Sequence, residues 1–79
     1  MGFFKKRGKP RRYRIIREPS HFGYVFYVLD AWNKTFSYWE YLALRHEHHP
    51  CALEILREHA AIDAKVMGYG DNYEITEVL

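Results

Sequence analysis

Residues 22–41, FGYVFYVLDAWNKTFSYWEY, decide the fold that this sequence predicts, because they hold nine of its fourteen aromatic residues. Within them, Gly23–Trp32 predicts a strand with two mostly apolar faces, which is typical of a central position in a sheet. One face is mainly aliphatic (Val25, Tyr27, Leu29, Ala31) and the other is rich in large rings (Tyr24, Phe26, Val28, Asp30, Trp32). We expect the aliphatic face to line the core and the ring-bearing face to be incompletely covered.

Three further elements follow from the apolar pattern. Arg12–Arg17, RYRIIR, predicts a first strand, and Tyr73–Val78 predicts a short last strand that could join the sheet at an edge. Pro50–Met67 predicts a helix, with Pro50 in its first turn and Gly68 just beyond its end. The expected apolar stripe of this helix is Ile55, His59, Ile62 and Val66, flanked by Ala52, Leu56 and Ala60.

The segment 36–49 allows two interpretations. Ser37 and Glu40 have the spacing of a helix-capping box, which favours a helix ending before Pro50. Alternatively, Phe36–Ala43 continues the sheet as a third strand. We favour the helix.

The predicted fold class is therefore α+β: a small three-stranded antiparallel sheet packed against one or two helices. A flexible basic arm occupies residues 1–11, and a single domain occupies residues 12–79. The chain has 79 residues and one cysteine, Cys51, so no disulfide within the chain can support its small core. A lone thiol, no apolar run of membrane-spanning length and no apolar signal segment together indicate a cytoplasmic protein.

Charge divides the chain into a basic arm and an acidic body. Residues 1–17 contain eight of the twelve Lys and Arg residues and no acid, whereas residues 18–79 contain four cations and all ten acids. Blocks of like charge in a flexible segment are typical of interaction tails. Eight cations can neutralise several phosphates, and each released counterion adds to affinity.

No catalytic signature stands out, and we expect a protein that is not an enzyme and uses no cofactor or metal. Cys51 lacks an oxyanion-hole turn nearby, and a lone cysteine in a helix is usually a small apolar side chain. A histidine cluster has no standard zinc spacing, so we interpret it as the polar end of a helix, with a metal site or a pH-sensitive contact as alternatives. The cluster is His46, His48, His49, Cys51 and His59.

Our first functional hypothesis is a non-enzymatic module that binds nucleic acid, or a nucleoprotein, through the arm and the aromatic sheet face. The predicted contacts are Lys5, Lys6, Arg7, Lys9, Arg11, Arg12 and Arg14 with phosphates, and Tyr24, Phe26 and Trp32 with bases. The alternative is a protein-binding accessory or inhibitor of mobile-element or phage type, either bound to another protein or homodimeric. Its interface would be an aromatic belt of Trp32, Tyr38, Trp39 and Tyr41.

Overall fold

The structure is a computed structural model that describes residues 8–79, so Lys5, Lys6 and Arg7 of the predicted arm lie outside the described residues. It contains four strands and one helix in the described part of the chain. In chain order these are β1 (Arg11–Pro19), β2 (Val25–Asn33), β3 (Tyr38–His46), α1 (Ala52–Val66) and β4 (Tyr73–Val78).

The four strands form a single mixed sheet in the order β3-β2-β1-β4. β2 runs antiparallel to both β1 and β3, whereas β4 runs parallel to β1. The parallel pairing arises because α1 carries the chain back to the end of the sheet at which β1 begins, so β4 starts beside Arg11. The predicted α+β class is confirmed, but the three-stranded antiparallel sheet is wrong, because the last strand adds a fourth, parallel member.

The favoured helix at residues 36–49 is also wrong, because Tyr38–His46 is strand β3. The Asn33 side-chain oxygen accepts hydrogen bonds from the backbone N–H groups of Thr35 and Phe36 and so closes a turn after β2. Ser37, the expected helix cap, instead has a φ of 56° and completes the reversal into β3. Pairing with β2 thus overrides the local capping signal.

The core lies between α1 and one side of the sheet. Leu29 and Ala31 of β2 are fully buried there, which confirms the expected core face of this strand. The helix does not bury its predicted stripe, since Ile62 and Val66 are 57% and 76% exposed. The predicted flanking residues Ala52, Leu56 and Ala60 face the sheet together with Ala64. Three of these four are alanines, which allows close helix–sheet packing.

The helix ends as the sequence predicts. Gly68 has a φ of 88°, a left-handed conformation that glycine adopts without a Cβ penalty. The N–H of Tyr69 then donates to the carbonyl of Ala64, and the N–H of Gly68 donates to that of Lys65. These bonds satisfy carbonyls of the last turn. No helix in the described part of the chain has the length and apolar character needed to cross a membrane.

Candidate functional site

The side of the sheet opposite α1, which we call the open face, is not covered by any other element within residues 8–79. Strand alternation and the observed register define its members. Three of them are exposed apolar residues, Tyr41, Leu44 and Val78, which are 58%, 38% and 62% exposed. The open face consists of Arg12, Arg14, Ile16, Glu18, Phe26, Val28, Asp30, Trp32, Trp39, Tyr41, Leu44, His46, Glu74, Thr76 and Val78.

Two tryptophans and two arginines lie together at one end of this face. Trp32 and Trp39 are direct partners across β2 and β3, and their ring centroids are 5.2 Å apart at an interplanar angle of 64°. The Arg12 guanidinium lies 5.5 Å from the Trp32 ring and 5.4 Å from the Trp39 ring. Arg14 lies 4.6 Å from the Trp39 ring. Cation–π attraction therefore holds both arginines beside the half-buried rings.

Each of these arginines also has an acidic neighbour. Arg14 donates a 2.8 Å hydrogen bond to Asp30, whose side chain is only 8% exposed. The pair of Arg12 and Glu74 is longer, at 3.9 Å, and both side chains are about half exposed, so it contributes little to stability. Arg12 can consequently leave its partner for a phosphate at small cost, whereas Arg14 is tied to a buried carboxylate.

The opposite end of the open face carries a second group of rings around His46. The His46 ring makes edge contacts with Tyr24 and Phe26, at centroid distances of 5.4 and 5.6 Å. Its Nδ1 atom accepts a 3.1 Å hydrogen bond from the backbone N–H of His48, which fixes the ring against the turn that follows β3. Tyr24, just before β2, is 55% exposed. The expected incomplete cover of the ring-bearing β2 face is confirmed.

Of the remaining histidines of the cluster, His48 and His49 lie in the turn between β3 and α1, and His59 lies within α1. No helix ends at His49, so the interpretation of the cluster as a polar helix end is wrong. Within residues 8–79, no group of three or more His, Cys, Asp or Glu side chains has an arrangement that could hold a metal ion. Cys51 is exposed at the start of α1 rather than buried within the helix.

Arg11 lies on the helix side of the sheet, whereas Arg12 and Arg14 lie on the open face. Its Nε atom donates to the Tyr13 hydroxyl and to Asp63, both at 2.9 Å, and the Tyr13 hydroxyl donates to the same carboxylate at 2.5 Å. Burial, followed by the hydrogen bond to Asp63, raises the pKa of Tyr13. This network ties the start of β1 to α1.

The other predicted site residues divide between the two sides of the sheet. Trp32, Trp39 and Tyr41 share the open face, but Tyr38 pairs with Asn33 on the opposite side. Lys9 is exposed just before β1, where the carbonyl of neighbouring Gly8 accepts a 3.2 Å hydrogen bond from Asn72. Lys9, the one cation among the described residues that precede β1, therefore lies at the end of the sheet that carries the tryptophan pair.

Leu44 and His46 were not predicted as members of the open face, because the sequence pattern assigned them to a helix. The pairing of Arg14 with Asp30 was not predicted either. The sequence did contain a signal for this pairing, because Asp30 lies in the middle of an apolar strand. A carboxylate that is buried there requires a partner.

Comparison of the chain with protein-family models, with curated proteins and with solved structures finds no match in any of the three. The groups that the open face can bind therefore follow from the chemistry of its own side chains. Ring surfaces can stack on planar groups, and guanidinium groups can bind phosphate or carboxylate.

Proposed function

We propose that this protein is a non-enzymatic module that binds nucleic acid, alone or within a nucleoprotein, through its basic N-terminal segment and the open face. The observation that carries the proposal is the contact of Arg12 and Arg14 with the Trp32–Trp39 pair on a sheet face that no described element covers. Phosphate-binding groups and base-stacking groups thus lie side by side.

The N-terminal segment supplies the charge that the open face lacks. The face holds two arginines against three acids, Glu18, Asp30 and Glu74, so phosphate binding there depends on cations from elsewhere in the chain. Further cations precede β1 in a stretch of sequence, residues 1–17, that contains no acid: Lys5, Lys6, Arg7 and Lys9. Their charges add a term in affinity that depends strongly on salt.

Fluorescence anisotropy with labelled, mixed-sequence DNA and RNA oligonucleotides at low ionic strength tests this proposal. We expect saturable binding, with affinity that falls steeply as salt rises. Replacing Lys5, Lys6 and Arg7 with Gln should flatten the salt dependence by about 0.7 for each phosphate of a single strand that is no longer neutralised. Substitution is preferable to deletion through residue 11, because Arg11 belongs to β1.

The matched control replaces Lys65, an exposed cation in the last turn of α1, with Gln. This change removes a charge away from the open face and should leave the salt dependence unaltered. Absence of binding to every oligonucleotide at low salt rejects the proposal.

Exposed apolar residues along β3 favour a second candidate, self-association or capture of another protein. β3 is an edge strand, and its open-face residues Tyr41 and Leu44 are exposed. A second copy could add its own β3 and continue the sheet, as edge strands readily do. Light scattering after size exclusion tests the self-association form of this candidate: a dimer that Leu44→Lys converts to a monomer supports it, and a monomer at all concentrations rejects it.

A further inference from the structure

The rings of the open face extend along the strands, whereas its cations occupy only one row. Between Phe26 and Trp32 the strand β2 advances about 20 Å. Rings lie at both ends of this interval, with Tyr24 and Phe26 beside His46 at one end and Trp32 beside Trp39 at the other. This length suits a few successive nucleotides whose bases are free to stack.

The cations are arranged differently. Arg12 and Arg14 both belong to β1, where they alternate with core residues. The neighbouring edge strand β4 presents Glu74 and Thr76 to the same face, and the other edge strand presents Tyr41 and Leu44. Among residues 8–79, the Lys and Arg side chains of the open face are therefore Arg12 and Arg14, at one end of a β1 row that continues with Ile16 and Glu18. Acidic or apolar residues flank this row on each side.

A duplex does not match this arrangement. It stacks its bases internally and presents two rows of phosphates, so it offers nothing to half-buried rings and needs cations along both of its backbones. An unpaired strand has one row of phosphates and exposes the faces of its bases, which stack on aromatic side chains regardless of sequence.

We propose that the open face takes an unpaired polynucleotide strand rather than a duplex, with its phosphates beside Arg12 and Arg14 and its bases on the rings of β2 and β3. This inference rests on the proposed function and specifies the form of its ligand. The juxtaposition of stacking rings and guanidinium groups at the tryptophan end selects this occupant over an apolar one.

The test compares three labelled probes of one sequence by anisotropy at equal salt: single-stranded DNA, single-stranded RNA and the blunt DNA duplex. We expect either single strand to bind at least about tenfold more tightly than the duplex, since each stacked base contributes roughly that factor. Trp39→Ala should lower single-strand affinity about tenfold and leave duplex affinity unchanged, whereas Trp39→Phe, which keeps a ring, should recover most of the loss.

Two further variants keep the test decisive. If circular dichroism shows that Trp39→Ala does not fold, Tyr41→Ala removes a 58% exposed ring from the same face. Ile62→Ala removes a 57% exposed apolar side chain from α1, on the other side of the sheet, and should change nothing.

The outcomes separate this inference from the proposed function. Equal or tighter binding of the duplex, or an equal loss of affinity for both ligands in Trp39→Ala, overturns the preference for an unpaired strand while the nucleic-acid function stands. Failure of all three probes to bind overturns both. A difference between the two single strands identifies DNA or RNA as the source of the ligand.

Discussion

Trp32 and Trp39 are direct cross-strand partners, and their rings meet edge to face with centroids 5.2 Å apart on the side of the sheet opposite the helix. Such a pair stabilises the β2–β3 hairpin, since aromatic cross-strand contacts contribute roughly 0.2–1 kcal/mol. The same rings remain half-buried beside two guanidinium groups, so the contact that supports the hairpin also places ring surface next to cations.

The buried carboxylate of Asp30 restrains Arg14, and removing its charge should strengthen phosphate binding. In Asp30→Asn, Arg14 loses its 2.8 Å ion pair and the open face loses a negative charge. We expect single-strand affinity to rise several-fold and its dependence on log salt to steepen by up to about 0.7, the value for one further neutralised phosphate. Anisotropy titrations over a range of salt concentrations measure both.

Glu40→Gln is the matched control for that substitution. Glu40 pairs with Ala31 on the helix side of the sheet. Glu40→Gln therefore changes the net charge by the same amount as Asp30→Asn, but at a site away from the open face. An equal gain in both variants would show that net charge alone is responsible and would contradict a role for Arg14.

Tyr13 should make stability depend on pH in the alkaline range. Its pKa is raised above the ordinary value of 10.0, first by burial and then by its hydrogen bond to Asp63. The unfolded chain therefore loses this proton first, and the stability that Tyr13 contributes is present below pH 10 and is lost progressively above it. Tyr13→Phe should cost about 1.5 kcal/mol at neutral pH, because Asp63 loses a hydrogen bond.

Urea unfolding of both proteins between pH 7 and about pH 10.5 measures this effect, the upper limit being set by the onset of tyrosine ionisation. The native protein and Tyr13→Phe should converge in free energy of unfolding as the pH rises beyond the ordinary tyrosine pKa. A constant difference across the whole range would contradict the assigned network.

Glu77 should make the attachment of β4 sensitive to acid. Its hydrogen bonds with Arg57 of α1, at 2.5 and 2.9 Å, lower its pKa below the ordinary value of 4.5. The stability from this pair is therefore present above pH 4.5 and is lost as the pH falls through the lowered pKa. Glu77→Gln should destabilise the protein by a few tenths of a kcal/mol at pH 7, as expected for a partly exposed pair.

Hydrogen exchange of the β4 amides locates this effect. Exchange should accelerate in Glu77→Gln at neutral pH and match that of the native protein at strongly acid pH. Glu58→Gln, on an exposed part of α1, should not change β4 exchange at either pH. Acceleration of all strands together would instead indicate a general loss of stability.

The sequence predicted the parts of the fold that depend on local pattern. Alternation along β2 separated the core residues Leu29 and Ala31 from the ring-bearing face, and Gly68 marked the end of the helix. The prediction for the β3 segment failed because Ser37 and Glu40 form a plausible capping box, and only pairing with β2 decides between strand and helix. That information is not local.

The helix face and the site required tertiary information for the same reason. Large residues such as Ile62 and Val66 formed the more evident stripe, yet the sheet accepts the small side chains of Ala60 and Ala64. Similarly, the rings of the open face followed from alternation, but the position of Arg12 over both tryptophans depends on the register of β1 against β2.

Intrinsic tryptophan fluorescence is the most direct test of binding at the open face, because the chain has only two tryptophans and both lie there. Titration with an unlabelled single-stranded oligonucleotide at low salt should quench or shift their emission in a saturable manner, and added salt should reverse the change. Emission that stays constant in excess single strand, from a protein shown to be folded, would contradict binding at this face.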